Sequence, residues 1–366
     1  MSLVCSVILQ MLVGAYGGQM YSLNIDSVTS ELLGCDTIFV ENASYVALSG
    51  DGSHFFTVSE SGDNSKISSF SISAPYGLVS QVDAPSADPC FLMYRPAARP
   101  DRRSAVDAFL LTADYSGGSI SVFPVAGNVV KPVSQVVSFH CKGQDPVRQP
   151  SSHIHQLKVF GKYLLASDLG GDMIHILGMS ERKGSLHLDT LSDIRLAPGS
   201  GPRHMELSKD GKFLYVLTEL SNEIYVYSLS CNNALNAVEL QRLPIGDPDE
   251  EVISHNPLEE GVNTQAAGDI HLHPNGKFLY ASLRNGADKI AVFDVARDGR
   301  ITPKGACATA RHPRNFAIMP DGCTIVVPCK NSDLIQFLKI DSATGIPADS
   351  GKSINITCPV LTVSVH

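Results

Sequence analysis

The chain has 366 residues, of which 43% are hydrophobic and 18% are charged, and its formal net charge is −9. This composition indicates a globular protein and excludes a disordered chain or one that spans a membrane. Because the chain is acidic and has no run of lysine or arginine, we expect neither nucleic acid nor a membrane as its partner.

Residues 11–25, MLVGAYGGQMYSLNI, are predicted to form the first pair of strands, joined by a glycine turn. The residues before them are apolar, like the core of a signal sequence, but no lysine or arginine precedes that apolar run. A removable leader would take part of this strand pair with it, so we expect a cytoplasmic protein, with secretion as the alternative. Only a secreted protein would carry sugar at the two sequons, Asn42 and Asn355.

The rest of the chain repeats one pattern, in which an apolar strand, a turn, a second strand, a polar link and a third strand follow one another. In the clearest copies the turn contains a glycine. Weaker copies cover residues 43–72 and 106–125, and clearer ones cover residues 155–179, 201–229, 269–295 and 315–340. The turn glycines are Gly161, Gly211, Gly276 and Gly322.

With residues 11–25 as an incomplete first copy, seven units share the chain at about 52 residues each, close to the length of propeller repeats. The last residues, 358–366 (CPVLTVSVH), alternate like a strand but belong to no copy. We therefore predict an all-β fold, a seven-bladed β-propeller that is a single domain over residues 1–366. Its ring is closed by pairing the C-terminal strand, residues 358–366, with the N-terminal half-blade.

Charged and polar residues recur at the strand ends that face one mouth of the central channel. Since the first and second strands of a blade are antiparallel, the start of one lies beside the end of the other. Arg203 and Glu219 are thus expected at one rim, and His155 joins them if its turn is two residues shorter. The residues predicted to converge there are His155, Arg203, His204, Glu219, Asp269, His271, Arg284 and Arg314.

This set of residues favours an anionic ligand. Two histidines and two carboxylates can hold a divalent metal, but three arginines in the same pocket oppose a cation and favour carboxylate or phosphate groups. We therefore expect a small anionic substrate, no metal and no cofactor. The sequence has no serine-hydrolase, NTPase or dinucleotide motif, and its nine cysteines lack zinc-site spacing. The oligomeric state stays open.

In three blocks, GPRHMELSKDGKFLYVLTEL, GDIHLHPNGKFLYASLRN and HPRNFAIMPDG, the chain resembles the lactonase family of seven-bladed propellers. That family includes bacterial 6-phosphogluconolactonases and fungal 3-carboxy-cis,cis-muconate lactonizing enzymes. Similarity to the muconate enzymes implies four catalytic residues, His155, Arg203, Glu219 and Arg284. The GPRH, DIH and HPRN motifs are more similar to the phosphogluconolactonases, and the substrate-binding residues implied are His204, Asp269, His271 and Arg314.

The resemblance implies a lactonase that hydrolyses a sugar-acid lactone, 6-phosphogluconolactone. The three arginines of the pocket would bind phosphate and other polar oxygens, and Glu219 or His155 would be the general base. An arginine or His204 would stabilise the oxyanion. Two alternatives stay open: the reverse bond change, in which a 3-carboxymuconate is cyclised to a lactone, and a propeller scaffold without enzymatic activity.

Overall fold

The computed structural model describes residues 8–101, 105–246 and 266–365. These residues form seven antiparallel sheets, the blades of a propeller, with two short 3-10 helices at Gly62–Asn64 and Lys330–Ser332. The predicted all-β, seven-bladed fold is confirmed. In the described part of the chain, no helix is long and apolar enough to cross a membrane.

Blades 1 to 3 contain the first twelve strands in chain order. Blade 1 has β1 (Ile8–Ala15), β2 (Met20–Asp26) and β3 (Leu32–Ile38). Blade 2 has β4 (Val46–Leu48), β5 (His54–Ser59), β6 (Lys66–Ser71) and β7 (Leu78–Asp83). Blade 3 has β8 (Pro89–Asp101), β9 (Val106–Asp114), β10 (Ser119–Ala126), β11 (Val129–Val130) and β12 (Gln135–Ser138).

Blades 4 to 7 have four strands each, and the first strand of each lies innermost. Blade 4 has β13 (Ile154–Phe160), β14 (Tyr163–Asp168), β15 (Met173–Arg182) and β16 (Ser185–Arg195). Blade 5 has β17 (Pro202–Leu207), β18 (Phe213–Thr218), β19 (Glu223–Cys231) and β20 (Leu235–Pro244). Blade 6 has β21 (Ala266–Leu272), β22 (Phe278–Arg284), β23 (Lys289–Val295) and β24 (Ile301–Ala308). Blade 7 has β25 (Ala317–Ile318), β26 (Thr324–Cys329), β27 (Leu334–Ile340) and β28 (Pro347–Asn355).

The last strand, β29 (Pro359–Val365), completes blade 1. It pairs antiparallel with β1, so that Gln10 lies opposite Val365 and Val13 lies opposite Thr362. The predicted closure of the ring by the C-terminal strand is therefore confirmed. The repeat pattern assigned no strand to residues 89–101, which form β8, because no glycine marks the turn that follows it.

Neighbouring blades pack face to face, and this packing explains why the middle strands are almost continuously apolar. In β18, Leu214 and Val216 pack against blade 4, whereas Tyr215 and Leu217 pack against blade 6. In the described residues, seven such hydrophobic clusters each fill one junction between two blades. The core is thus a ring of seven interfaces, and each blade is stabilised by the two beside it.

The turn glycines keep the first two strands of the blades in register. Gly161, Gly211, Gly276 and Gly322 all have positive φ angles, between +59° and +73°. Glycine adopts this left-handed conformation without the steric cost that a Cβ atom would bring. The register set by these turns brings the start of each inner strand beside the end of the second strand, at one mouth of the channel.

Deleting residues 359–366 should prevent cooperative folding. The deletion exposes the edge of β1 and removes Leu361 from the junction between blades 1 and 2. We expect loss of soluble protein or of a sharp thermal transition, measured by circular dichroism.

A relocated strand is the control for that deletion. Because Val365 lies opposite Gln10, residues 357–365 can be joined by a short turn to Ile8, in place of residues 1–7. This variant should recover folding. A deleted chain that melts like the full-length protein would contradict the role of β29 in closing the ring.

Candidate active site

Inner strands of the propeller carry an extra residue at the mouth of the channel. Arg203 lies unpaired between Pro202 and His204, both of which pair with β18. His155 occupies the equivalent place in β13, and Cys90 does so in β8. Such β-bulges turn a side chain out of the regular alternation. The sequence aligned His155 with Arg203 only if the turn after His155 was two residues shorter. In the structure, both residues occupy the same bulge position.

The centre of the site is the buried carboxylate of Glu219, which contacts three arginines. Its Oε2 accepts from Arg203 Nε and lies close to Arg284 Nη2, in both cases at 2.8 Å. Its Oε1 accepts from Arg148 Nη2 at 2.5 Å. Burial alone would raise the pKa of Glu219, but the charges of the three arginines hold that pKa well below its usual value. We call these four residues the Glu219 cluster.

Arg148 was not predicted from the sequence. It lies in the loop between β12 and β13, outside the repeat, so counting from a turn glycine does not reach it. Asp145 shapes this loop, since its Oδ1 accepts hydrogen bonds from the backbone N–H groups of Val147 and Arg148. The one available signal was an arginine next to a short Asp-Pro turn, which does not by itself indicate a partner 71 residues away.

His155 lies beside the Glu219 cluster and is almost fully buried. Burial, and then the positive charge of Arg203, lowers the pKa of His155 well below its ordinary value, so the ring is neutral at pH 7. Among the described residues, only Cys90 Sγ lies within hydrogen-bonding distance of a His155 ring nitrogen, at 3.8 Å from Nδ1. Nε2 is therefore open to a ligand.

A second group of predicted residues forms a hydrogen-bonded chain in the channel. Asp269 Oδ1 lies 2.5 Å from His204 Nδ1, and its Oδ2 lies 2.9 Å from His271 Nε2 and accepts from Asn315 Nδ2. Burial lowers the pKa of His204 to about 4, although Asp269 opposes this change. Burial would also lower the pKa of His271, but Asp269 and then Glu206 raise it to about 10.

His271 does not lie at the mouth with the other predicted residues. It pairs with Tyr280, further along β21 from the bulge that contains Asp269, and its Nδ1 is 3.7 Å from Glu206 Oε2. It also lines a cavity of about 460 Å³ with residues of the inner strands β4, β25 and β29. His271 therefore contacts Asp269 from a position further inside the channel.

Arg314 reaches the same mouth from blade 7, but it does not join the Glu219 cluster. Its guanidinium carbon lies 5.5 Å from the ring centre of Tyr16, and its Nη2 is 3.9 Å from Glu60 Oε2. The Tyr16 hydroxyl donates to the same Glu60 oxygen at 2.9 Å. Lys330 Nζ lies 5.0 Å from the centre of the Tyr16 ring. We call Tyr16, Glu60, Arg314 and Lys330 the Tyr16 cluster.

One group of side chains in the described residues has the spacing of metal ligands, namely Cys141, Asp168 and His175. His175 already contacts Asp168 at 3.2 Å through Nε2 and Asp193 at 2.7 Å through Nδ1. In blade 3 the corresponding pair is Asp114 and Ser121, hydrogen-bonded at 2.7 Å, which indicates a structural bridge within a blade. We therefore assign no metal to this group.

Comparison with known proteins covers nearly the whole chain. The family model described as lactonase, seven-bladed β-propeller, matches residues 10–364. A 6-phosphogluconolactonase of Formosa agariphila is 28% identical over 342 residues, 90% of each chain, and one of Yersinia pseudotuberculosis is 30% identical over 240 residues, 65% of each chain. A crystal structure of a proposed 6-phosphogluconolactonase from Bacteroides fragilis is 32% identical, with a TM-score of 0.85, and covers 100% of this chain and 99% of that one.

Glu219→Gln should destabilise the protein strongly. It leaves three arginines at a buried site without their counter-charge, and removing one partner of a buried ion pair costs about 3–5 kcal/mol. We expect a clear fall in the urea midpoint. The control is Glu223→Gln in the same blade, which breaks a half-exposed pair with Arg242 and should cost under about 1 kcal/mol. Equal midpoints for the two variants would contradict the structural role of the Glu219 carboxylate.

Proposed function

Because the chain belongs to the lactonase family of seven-bladed β-propellers, we propose that it hydrolyses 6-phosphogluconolactone at the mouth that holds the Glu219 cluster. The two curated relatives and the Bacteroides structure carry that activity in their names, which supports this substrate. The same names favour hydrolysis over the lactone-forming muconate reaction and over a scaffold without activity.

The observation that carries the proposal is the charge balance around a neutral imidazole. Three guanidinium groups share a single carboxylate, so the Glu219 cluster keeps a surplus of positive charge. The neutral ring of His155 lies beside it with Nε2 open. Ester hydrolysis needs a base that is unprotonated at neutral pH and cationic donors where negative charge develops, and this arrangement supplies both.

In the proposed reaction, His155 is the general base. Its Nε2 accepts a proton from a water molecule as the water oxygen attacks the lactone carbonyl carbon, which becomes tetrahedral and carries an oxyanion. Collapse of this intermediate breaks the bond between the carbonyl carbon and the ring oxygen. The imidazolium then returns its proton to the departing oxygen, so that the products are a hydroxyl group and a carboxylic acid, which ionises.

Arg203 is the proposed oxyanion donor. Its Nε donates to Glu219 and its Nη1 donates to the carbonyl of Gly268, which fixes the plane of the guanidinium. No acceptor among the described residues takes a hydrogen bond from its Nη2, so that nitrogen can donate to the oxyanion. A donor that is already held in place loses little entropy as charge develops, which is the basis of oxyanion stabilisation.

Glu219 is better suited to holding the arginines than to accepting a proton. Both oxygens of its carboxylate already contact arginines, and a proton on either oxygen would weaken the attraction that holds three cations in place. We therefore assign the base to His155 and assign Glu219 the positioning of Arg148, Arg203 and Arg284.

The direct test is an assay of the purified protein with freshly generated 6-phosphogluconolactone. Acid release is followed in weakly buffered solution with a pH indicator. We expect hydrolysis well above the spontaneous rate. Product formation at the spontaneous rate alone would overturn the proposed function.

His155→Gln should lower kcat by about 10²–10⁴-fold, because glutamine cannot accept the proton. The wild-type kcat/KM should persist at pH 6 and fall only as the pH drops through the lowered pKa of His155, since protonation below that value removes the base. That acidic limb should be absent in the variant.

The matched control is His187→Gln, in the same blade. His187 is exposed on β16, the outermost strand of blade 4, where it lies opposite Ser180. Its variant should keep both kcat and the acidic limb. An unchanged pH profile in His155→Gln would rule out His155 as the base.

A further inference from the structure

The mouth of the channel is divided into two halves with different chemistry. Blades 4, 5 and 6 carry His155, Arg203 with Glu219, and Arg284. The Tyr16 cluster comes from the opposite blades of the ring: Tyr16 follows β1 of blade 1, Glu60 follows β5 of blade 2, and the two cations belong to blade 7. A ligand with two different ends can therefore contact both halves at once.

The two halves also differ in whether their cations contact an acceptor on the protein. In the Glu219 cluster every arginine contacts the carboxylate at 2.8 Å or less. In the Tyr16 cluster, the closest approach of Arg314 to Glu60 is 3.9 Å, beyond hydrogen-bonding distance. Within the described ranges, the side chains of Arg314 and Lys330 donate no hydrogen bond to a protein acceptor. Their N–H groups are available to a ligand.

The Tyr16 ring keeps these two cations in place without using their donors. Both lie within 6 Å of its centre, where the electron-rich face attracts a cation. Glu60 holds the ring through a hydrogen bond from the Tyr16 hydroxyl. The Tyr16 cluster has two positive charges and one negative charge. An anion with several acceptor oxygens, such as a phosphate group, would balance the charge and accept hydrogen bonds from both cations.

We propose that Arg314 and Lys330 bind the phosphate of the substrate, while the lactone ring lies between them and His155. This inference rests on the proposed function and adds to it that the phosphate does not bind at the Glu219 cluster. In the 1,5-lactone the phosphate is carried by C6, which lies outside the ring that contains the carbonyl carbon, so the phosphate can contact a different group of side chains from those that bind the carbonyl. Burial and the nearby Arg314 also lower the pKa of Lys330, a change that a phosphate would reverse.

The test compares two lactones that differ only in the phosphate. Lys330→Met should lower kcat/KM for 6-phosphogluconolactone by about 10- to 100-fold, mainly through KM, because a hydrogen bond to a charged group is lost. For glucono-1,5-lactone the same variant should change kcat/KM less than about twofold. Lys330→Arg keeps the charge and should restore most of the preference for the phosphorylated lactone.

Lys212→Met is the matched control for net charge. Lys212 is exposed in the turn between β17 and β18, at the other end of the blade, and pairs with Asp210. It should leave both kcat/KM values unchanged. An equal loss on the two lactones in Lys330→Met, or no loss on either, would overturn the phosphate site while leaving the proposed hydrolysis intact.

Binding of the reaction products separates this inference from the proposed function. Calorimetry with 6-phosphogluconate and gluconate measures the phosphate contact without turnover. We expect the wild type to bind 6-phosphogluconate more tightly than gluconate, and Lys330→Met to lose that difference even if neither lactone were hydrolysed. A wild type that binds the two acids equally would overturn the phosphate site.

Discussion

The pairing of β29 with β1 is the constraint on which the rest of the structure depends. It completes blade 1, and the hydrophobic clusters on both sides of that blade then close the ring from blade 7 to blade 2. In a closed ring each inner strand begins at the same mouth of the channel, so the bulged residues His155 and Arg203 face a common space. The geometry of the site therefore depends on a strand pair at the chain ends, far from either residue in sequence.

Within that space, the buried carboxylate of Glu219 determines the electrostatics. A buried ion pair is weak evidence for stability, because desolvation of the charges offsets much of their attraction. Here one carboxylate is shared by Arg148, Arg203 and Arg284, which leaves a positive surplus directed at the mouth. Burial, and then the charge of Arg203, lowers the pKa of the neighbouring His155 and keeps its ring neutral. Burial of these groups thus places an unprotonated base beside cationic donors that are fixed in position.

The sequence predicted those parts of the site that follow the repeat. Arg203 and Glu219 could be placed together because a glycine turn fixes the register of two antiparallel strands. Arg148 was missed, because it lies in the loop between β12 and β13, outside the repeat. The bulge position of Cys90 was also missed, because the turn after its strand contains no glycine. His271 was expected at the mouth, but its place in the channel depends on a bulge that periodicity does not reveal.

The two halves of the mouth make different use of binding energy. A cation that binds the reacting carbonyl equally well before and during the reaction lowers KM without raising kcat. The Glu219 cluster avoids this, because its arginines are already held by a protein carboxylate and are oriented before substrate arrives. Arg314 and Lys330 lack such a partner, so contact with a remote phosphate is where affinity is gained. Binding energy gained at a non-reacting group can hold the lactone carbonyl against His155. In this way, contacts at the Tyr16 cluster can promote the reaction beside the Glu219 cluster.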